Sequence, residues 1–347
     1  MDLKQELFTL SELWAGSGME FRAATHVSDL FAPYCDEVIV DALDNVIATR
    51  HSKNRDAPTL LIDAHMDEIC MVVTKVREDG FLNFDSVGGI DRRTILSSEV
   101  AVHAADGDYY GIVAAMPPHL STEADRKKTP ELADLCIDVG FDGKRSAELF
   151  SVGDFVSFRM KPAELLGSIV TGKTFDDRAS VVAILSAFHD LRDTPLPFHV
   201  TALLSAQEEV GLRGAKVAAE RVSPDEAIVI DVCHAAIPET SKEQTSPMGK
   251  GAVITFAPIL DRKLTETLVE VAAQAGIPVQ INVGMGSTGT NSHAVFNTGR
   301  GVKTALLNIP LKYMHSAIET LDIADVKSVA RLLKEYMLWK KEEMSRV

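Results

Sequence analysis

The 347-residue sequence has no excess of positive charge: 35 Lys and Arg face 50 Asp and Glu, for a net charge of −15. No basic cluster interleaved with aromatics occurs either, so nucleic acid is not an expected partner. Cysteine is scarce, and Cys35, Cys70, Cys136 and Cys233 stand apart with no CxxC pair. That spacing argues against a disulfide framework and against zinc held by thiolates. Free thiols in a cytoplasmic protein are expected. No apolar run approaches the ~20 residues that span a bilayer, so no membrane is expected. The opening stretch, MDLKQELFTLSELWAGSG, lacks the basic start and apolar core of a signal peptide. There is no G-x-S-x-G elbow and no G-x-x-x-x-G-K-[ST] phosphate loop. H-E-x-x-H is missing too, which excludes a single-zinc protease of the helical type. GMGSTGTNSH is Gly-rich and precedes a helix pattern, but it does not fit the dinucleotide fingerprint. No internal repeat or low-complexity segment occurs.

What is present falls into three pieces. Residues 1–71 read α then β, with helical spacing in LKQELFTLSELWA and a hairpin expected around Asp44 and Asn45. Residues 72–165 change texture: short β-like pieces alternate with Gly and Asp turns, as in a small all-β domain inserted into a larger one. Residues 166–347 return to α/β rhythm. ASVVAILSAFHDL is apolar nearly all round, so a buried helix is expected. FHVTALLSA, EAIVIDV and KTALLNIPL read as buried strands. The fold class is therefore α/β: one domain with a central sheet from 1–71 and 166–347, interrupted by a β domain over 72–165.

In open α/β sheets, sites gather beyond the C-terminal ends of the strands. TLLIDA is followed by His65 and Asp67, and SIVTGKTF by Asp176 and Asp177. FHVTALLSAQ is followed by Glu208 and Glu209, EAIVI by Asp231, and KTALLNIPLKYM by His315. Each alone has a bland reading. A histidine after a strand is usually structural, Asp177 could be only a helix N-cap, and Glu-Glu is usually a solvated turn. Five coincidences at one end of a sheet point instead to ligands for a pair of divalent metals, because imidazoles and carboxylates are their donors. His234 lies near Asp231, and His293 opens a helix pattern nearby. Neighbouring residues on an extended chain face opposite ways, so Glu208 and Glu209 are expected to divide their tasks. The spacing alone does not say which does which.

AHMDE, FDDR, SAQEEVGLRGA, IDVCHA and IPLKYMHSAIE resemble the motifs of the dinuclear metallo-aminopeptidases known as glutamyl or tetrahedral (TET) aminopeptidases. SVGGID, GIVAAMPPHL and IDVGFDGKRSAE are similar to that family's β domain, so the likeness covers nearly the whole chain in order. The resemblance implies an α/β/α sandwich with an inserted barrel-like dimerisation domain. It implies that His65 and Asp231 hold one metal, Glu209 and His315 the other, and that Asp176 bridges them. Glu208 would be the general base and Asp67 would orient His65. Zinc or cobalt are the implied ions, with manganese also suited to such donors. The implied substrates are short peptides cut from the N-terminus. The implied assembly is a homo-oligomer of dimers forming a tetrahedral dodecamer.

The sequence departs from the family at Cys70 and Ser180, where glycine is usual or frequent, and at Asn291, where many members carry Asp. Asn291 and His293 are expected to contact substrate. Two other readings stay open at this stage: a dinuclear deacylase acting on N-acyl amino acids, and a peptide-binding particle without activity.

Overall fold

The computed structural model describes residues 1–117, 119–123 and 127–346. Pro118 of GIVAAMPPHL lies outside the described residues.

Helices α1 (Leu3–Glu12) and α2 (Phe21–Phe31) lead into the hairpin β1 (Glu37–Val40) and β2 (Val46–Arg50), then β3 (Thr59–His65). The hairpin turns at Asp41–Asn45, where the Asp41 carboxylate accepts the N–H groups of Leu43 and Asn45. Strands β4 (Cys70–Val76), β5 (Leu82–Val87), β6 (Glu99–Ala104), β7 (Gly107–Ala114), β8 (Cys136–Asp138) and β9 (Phe155–Phe158) follow, with α3 (Gly143–Leu149) between the last two. The chain then returns through β10 (Ala163–Glu164), β11 (Ile169–Gly172), α4 (Phe175–Asp190), β12 (His199–Ser205), α5 (Arg213–Val222) and β13 (Glu226–His234). It finishes with β14 (Ala252–Phe256), α6 (Arg262–Gln274), β15 (Val279–Val283), α7 (Ser292–Val295), β16 (Lys303–Lys312), β17 (Glu319–Asp322) and α8 (Ile323–Ser345).

The main sheet runs β1-β2-β12-β3-β13-β16-β17-β11-β10, with β14 and β15 branching from β16. Strands β12, β3, β13 and β16 are parallel. β11 is antiparallel to β17, which is antiparallel to β16, so β11 shares their direction. Alternate residues feed two cores. Leu60, Ile62 and Ala64 pack on one face under α1, α2, α4, α6 and α8. Leu61, Leu203 and Val229 pack on the other under α5 and α7. Helix α4 is buried almost throughout because it lies inside the first core, with α8 and α1 packed beside it. This is the α/β/α sandwich that the resemblance implies.

The β4–β9 strands close into a separate barrel, β4-β5-β8-β7-β6-β9, with its own core around Met71, Val102, Ile137 and Val156. Cys70 and Met71 already belong to the barrel, whereas Ala163 and Glu164 pair with β11 of the main sheet. A buried ion cluster closes the seam between barrel and sandwich. Glu68, one turn beyond β3, pairs with Lys173 at 2.7 Å and Arg178 at 3.4 Å. Among the described residues, no helix is long and apolar enough to cross a membrane.

Candidate metal centre

Register brings the chemistry to one level of the sheet. His65 of β3 is opposite Ser205 of β12, and Asp231 of β13 is opposite Asn308 of β16. β13 continues to His234, so Asp231 sits within a strand rather than after one. The loop after β16 returns His315 over the same end, in a left-handed conformation (φ 61).

Asp176 is the centre of the cluster. Its Oδ1 lies 3.1 Å from His65 Nε2 and its Oδ2 lies 3.4 Å from His315 Nε2. Glu209 Oε1 is 3.2 Å from the same His315 nitrogen. Each imidazole presents Nε2 for a reason. His65 Nδ1 is 3.2 Å from the Asp67 carbonyl, and His315 Nδ1 is 2.9 Å from the Gly89 carbonyl. A carbonyl only accepts, so each Nδ1 carries a proton, and Nε2 is the nitrogen turned toward the carboxylates.

Two buried carboxylates hold the backbone around these side chains. Asp67 accepts the N–H groups of Glu208 at 3.0 Å and Glu209 at 3.2 Å, and the Ser17 hydroxyl at 2.6 Å. Its carboxylate is also 3.4 Å from His65 Nδ1. Glu319 does the corresponding work on the far side, accepting the N–H of Asp176 and that of His315, each at 3.0 Å. Glu208 and Glu209 lie in a turn, not on an extended strand. Strict alternation therefore does not separate them, and both line the same cavity of about 500 Å³.

Burial pushes Glu208 up to about 9 and Asp231 up to about 8, and neighbouring acids add to both shifts. Burial also raises Glu209. Burial opposes charge on His315, but hydrogen bonds to Asp176 and Glu209 carry it up to about 11. Burial likewise opposes charge on His65, which Asp176 and Asp67 hold well above its ordinary value. The pattern is that of acids crowded out of water and short of positive charge. Two sets of donor atoms lie within 4.8 Å of one another: His65, Asp177 and Asp231, and His65, Asp176 and Glu209. Buried imidazole and carboxylate donors of this kind fit divalent cations.

Asp177, which the sequence offered as a helix N-cap, accepts the His65 backbone N–H at 3.3 Å and the Ser180 hydroxyl. Two further contributors were not picked out in the sequence. Glu319 was visible only as the last letter of a motif, four residues after His315. Gly89 comes from the barrel, and a Cβ there would sit 2.9 Å from His315 Nδ1.

The structure does not bring Asn291 or His293 to the cavity wall. Asn291 is buried and donates to Ser205 Oγ at 2.8 Å, while His293 is exposed and packs on Phe296. Behind Asn291 lies the buried Asp63, whose carboxyl burial pushes up to about 7. Ser205 and Asn291 are near enough to lower that value, yet neither completes a hydrogen bond to it. The other departures from the family pattern also have local partners. Ser180 donates to Asp177, and Cys70 fills space opposite Gly16, where a Cβ would lie 2.5 Å from its Sγ.

The chain also has relatives among known proteins. The M42 glutamyl aminopeptidase family matches residues 44–332. The lysyl aminopeptidase of Pyrococcus furiosus is 33% identical over 311 residues, covering 89% of this chain and 88% of that protein. The TET aminopeptidase of a marine-sediment Thaumarchaeota archaeon superposes with a TM-score of 0.92 at 30% identity, over 98% of each chain. The TET1 peptidase of Pyrococcus horikoshii, which can assemble into a tetrahedron or a large octahedral shell, superposes at 0.86 with 33% identity, over 96% of this chain and 98% of that one. This chain therefore belongs to the M42 glutamyl aminopeptidase family.

Proposed function

We propose that the protein is a metal-dependent aminopeptidase that removes N-terminal residues from short peptides. The observation that carries this reading is Asp176, which offers one oxygen to each histidine side of a single cavity. His65 and Asp231 would hold one divalent cation and His315 and Glu209 a second, with the Asp176 carboxylate lying between the two. Zinc, cobalt and manganese all suit these donors. Bound there, the cations supply Lewis acidity that polarises a peptide carbonyl and acidifies nearby water.

The protein's own groups do the rest. Glu208 takes the proton of the attacking water and returns it to the leaving amine nitrogen. Asp67 keeps Glu208 in reach by holding its amide and that of Glu209. Asp67 and the Gly89 carbonyl fix the two imidazoles. The cut falls after the first residue, so the free α-amine of the substrate lies at the reacting end of the cavity.

The barrel is proposed as the dimerisation surface of a homo-oligomer, with a tetrahedral dodecamer as its end point. The acidic balance of the chain disfavours nucleic-acid partners, and a cytoplasmic location is proposed with the free thiols. The test is a panel of aminoacyl reporters and their N-blocked counterparts, assayed after cobalt or zinc reconstitution, with particle mass measured in the same buffer. Hydrolysis of free-N-terminus substrates is expected. Equal cleavage of blocked substrates would turn the reading to a deacylase.

A further inference from the structure

The cavity beside the candidate metal centre has a floor whose composition bears on which substrate it takes. Three strands build it in steps. Asn308 of β16 lies opposite Asp231, Thr255 of β14 lies opposite Leu306 of β16, and Asn282 of β15 lies opposite Thr255. All of these residues line the cavity. Strands are spaced about 4.8 Å apart, so the floor recedes from the reacting end by one such step per strand.

Its polar groups are neutral, and the Asn282 amide nitrogen is left to meet a substrate side chain. The Thr255 hydroxyl donates to Asn308 Oδ1 at 2.8 Å, and Asn308 Nδ2 donates to the Val232 carbonyl at 3.2 Å. Asn282 Oδ1 accepts the Val283 N–H at 2.8 Å. Leu306 supplies an apolar patch between them. Among the described residues, no Lys or Arg lines the cavity, and every Asp or Glu that does belongs to the cluster around Asp176. His234 stands at the exposed margin.

From this floor we infer that the cavity selects uncharged N-terminal side chains, an inference that rests on the aminopeptidase reading above. A carboxylate or ammonium group reaching Thr255 and Asn308 would lose its water and find no counter-charge, which is costly. A side chain such as leucine, methionine or glutamine loses little there. Two bound divalent cations would cancel the four carboxylates Asp176, Glu208, Glu209 and Asp231, so the reacting end provides no net charge for a charged side chain. The family is named for glutamyl substrates and one relative for lysyl substrates. This floor pairs with neither.

The test uses metal-reconstituted protein and free-N-terminus reporters of Leu, Met, Gln, Glu and Lys. The expected kcat/KM for uncharged residues exceeds that for Glu and Lys by ~100-fold. A binding readout runs in parallel: free leucine and glutamine raise the thermal midpoint, while free glutamate and lysine do not. Asn282 is half-buried on the last strand, where a charge can be placed with little risk to folding. Asn282→Lys is expected to raise the Glu-to-Leu ratio of kcat/KM by roughly 10-fold, and Asn282→Asp the Lys-to-Leu ratio similarly, by supplying the missing counter-charge. A wild-type protein that prefers Glu or Lys overturns the inference, as do variants that leave both ratios unchanged. Failure to cleave any reporter overturns the aminopeptidase reading instead, and the ranking of thermal shifts still judges the cavity.

Discussion

The sandwich and the barrel bury their interiors with opposite chemistry. Among the described residues, the barrel strands and α3 enclose apolar side chains with only Ser146 and Ser157 as buried polar residues. The sandwich encloses Asp63, His65, Asp67, Asp176, Asp177, Asp231 and Glu319. Burying acids costs stability unless each has donors or cations, so such a concentration marks where binding was kept at stability's expense. The barrel carries no such load. It reaches the chemistry at the Gly88–Gly89 turn, which meets His315 through a carbonyl.

The largest test of that division is at Glu208. Glu208→Gln is expected to lower turnover by roughly 10²–10⁴-fold while metal content and thermal midpoint stay near wild type. Near-normal turnover with metal bound would remove Glu208 as the proton carrier.

Leu82→Ala, in the barrel core, is expected to cost ~2–5 kcal/mol in denaturant unfolding yet leave metal affinity unchanged in protein that remains folded. Loss of metal affinity there would mean the two interiors are not separable.

Gly89→Ala probes that crossing point. The added methyl meets His315 Nδ1, so metal affinity is expected to fall about 10–100-fold, read by titration of apo-protein, with little change in folding. An unaltered titration would reduce the barrel to a neighbour of the site.

The smallest effect concerns a buried acid away from the cluster. Asp325 accepts the N–H groups of Gly249 and Gly251, and burial still pushes it up to about 6 from 3.8. Its folded pKa lies above its unfolded one, so as pH rises the unfolded chain ionises first. Stability therefore falls across that window. Urea unfolding at about pH 4.5 and about pH 6.5 should show a shallower decline for Asp325→Asn than for wild type. Identical slopes would contradict the assignment.

The sequence showed the strands and their acidic or imidazole endings because a buried parallel strand is a continuous apolar run and a charge beyond it stands out. It showed an inserted all-β stretch as a change of texture. What it hid are contacts made across long sequence separations. Nothing in HSAIE says that Glu319 turns back to hold the amides of Asp176 and His315, and nothing in SVGGID says that a glycine carbonyl meets an imidazole. Asn291 was misplaced for a related reason. A polar residue in a Gly-rich loop near the site was expected to contact substrate, yet its amide points inward to Ser205. Glu208 and Glu209 were expected to diverge as on a strand, and the turn at Gln207 brings both to one cavity instead.

The two carboxylates that hold the site lie far apart in sequence, Asp67 near the start and Glu319 on the last strand. No shorter stretch of the chain contains a complete set. During synthesis the nascent protein therefore carries scattered acids but no assembled centre until β17 has left the ribosome. The order of translation itself delays assembly of the site until the sandwich is complete.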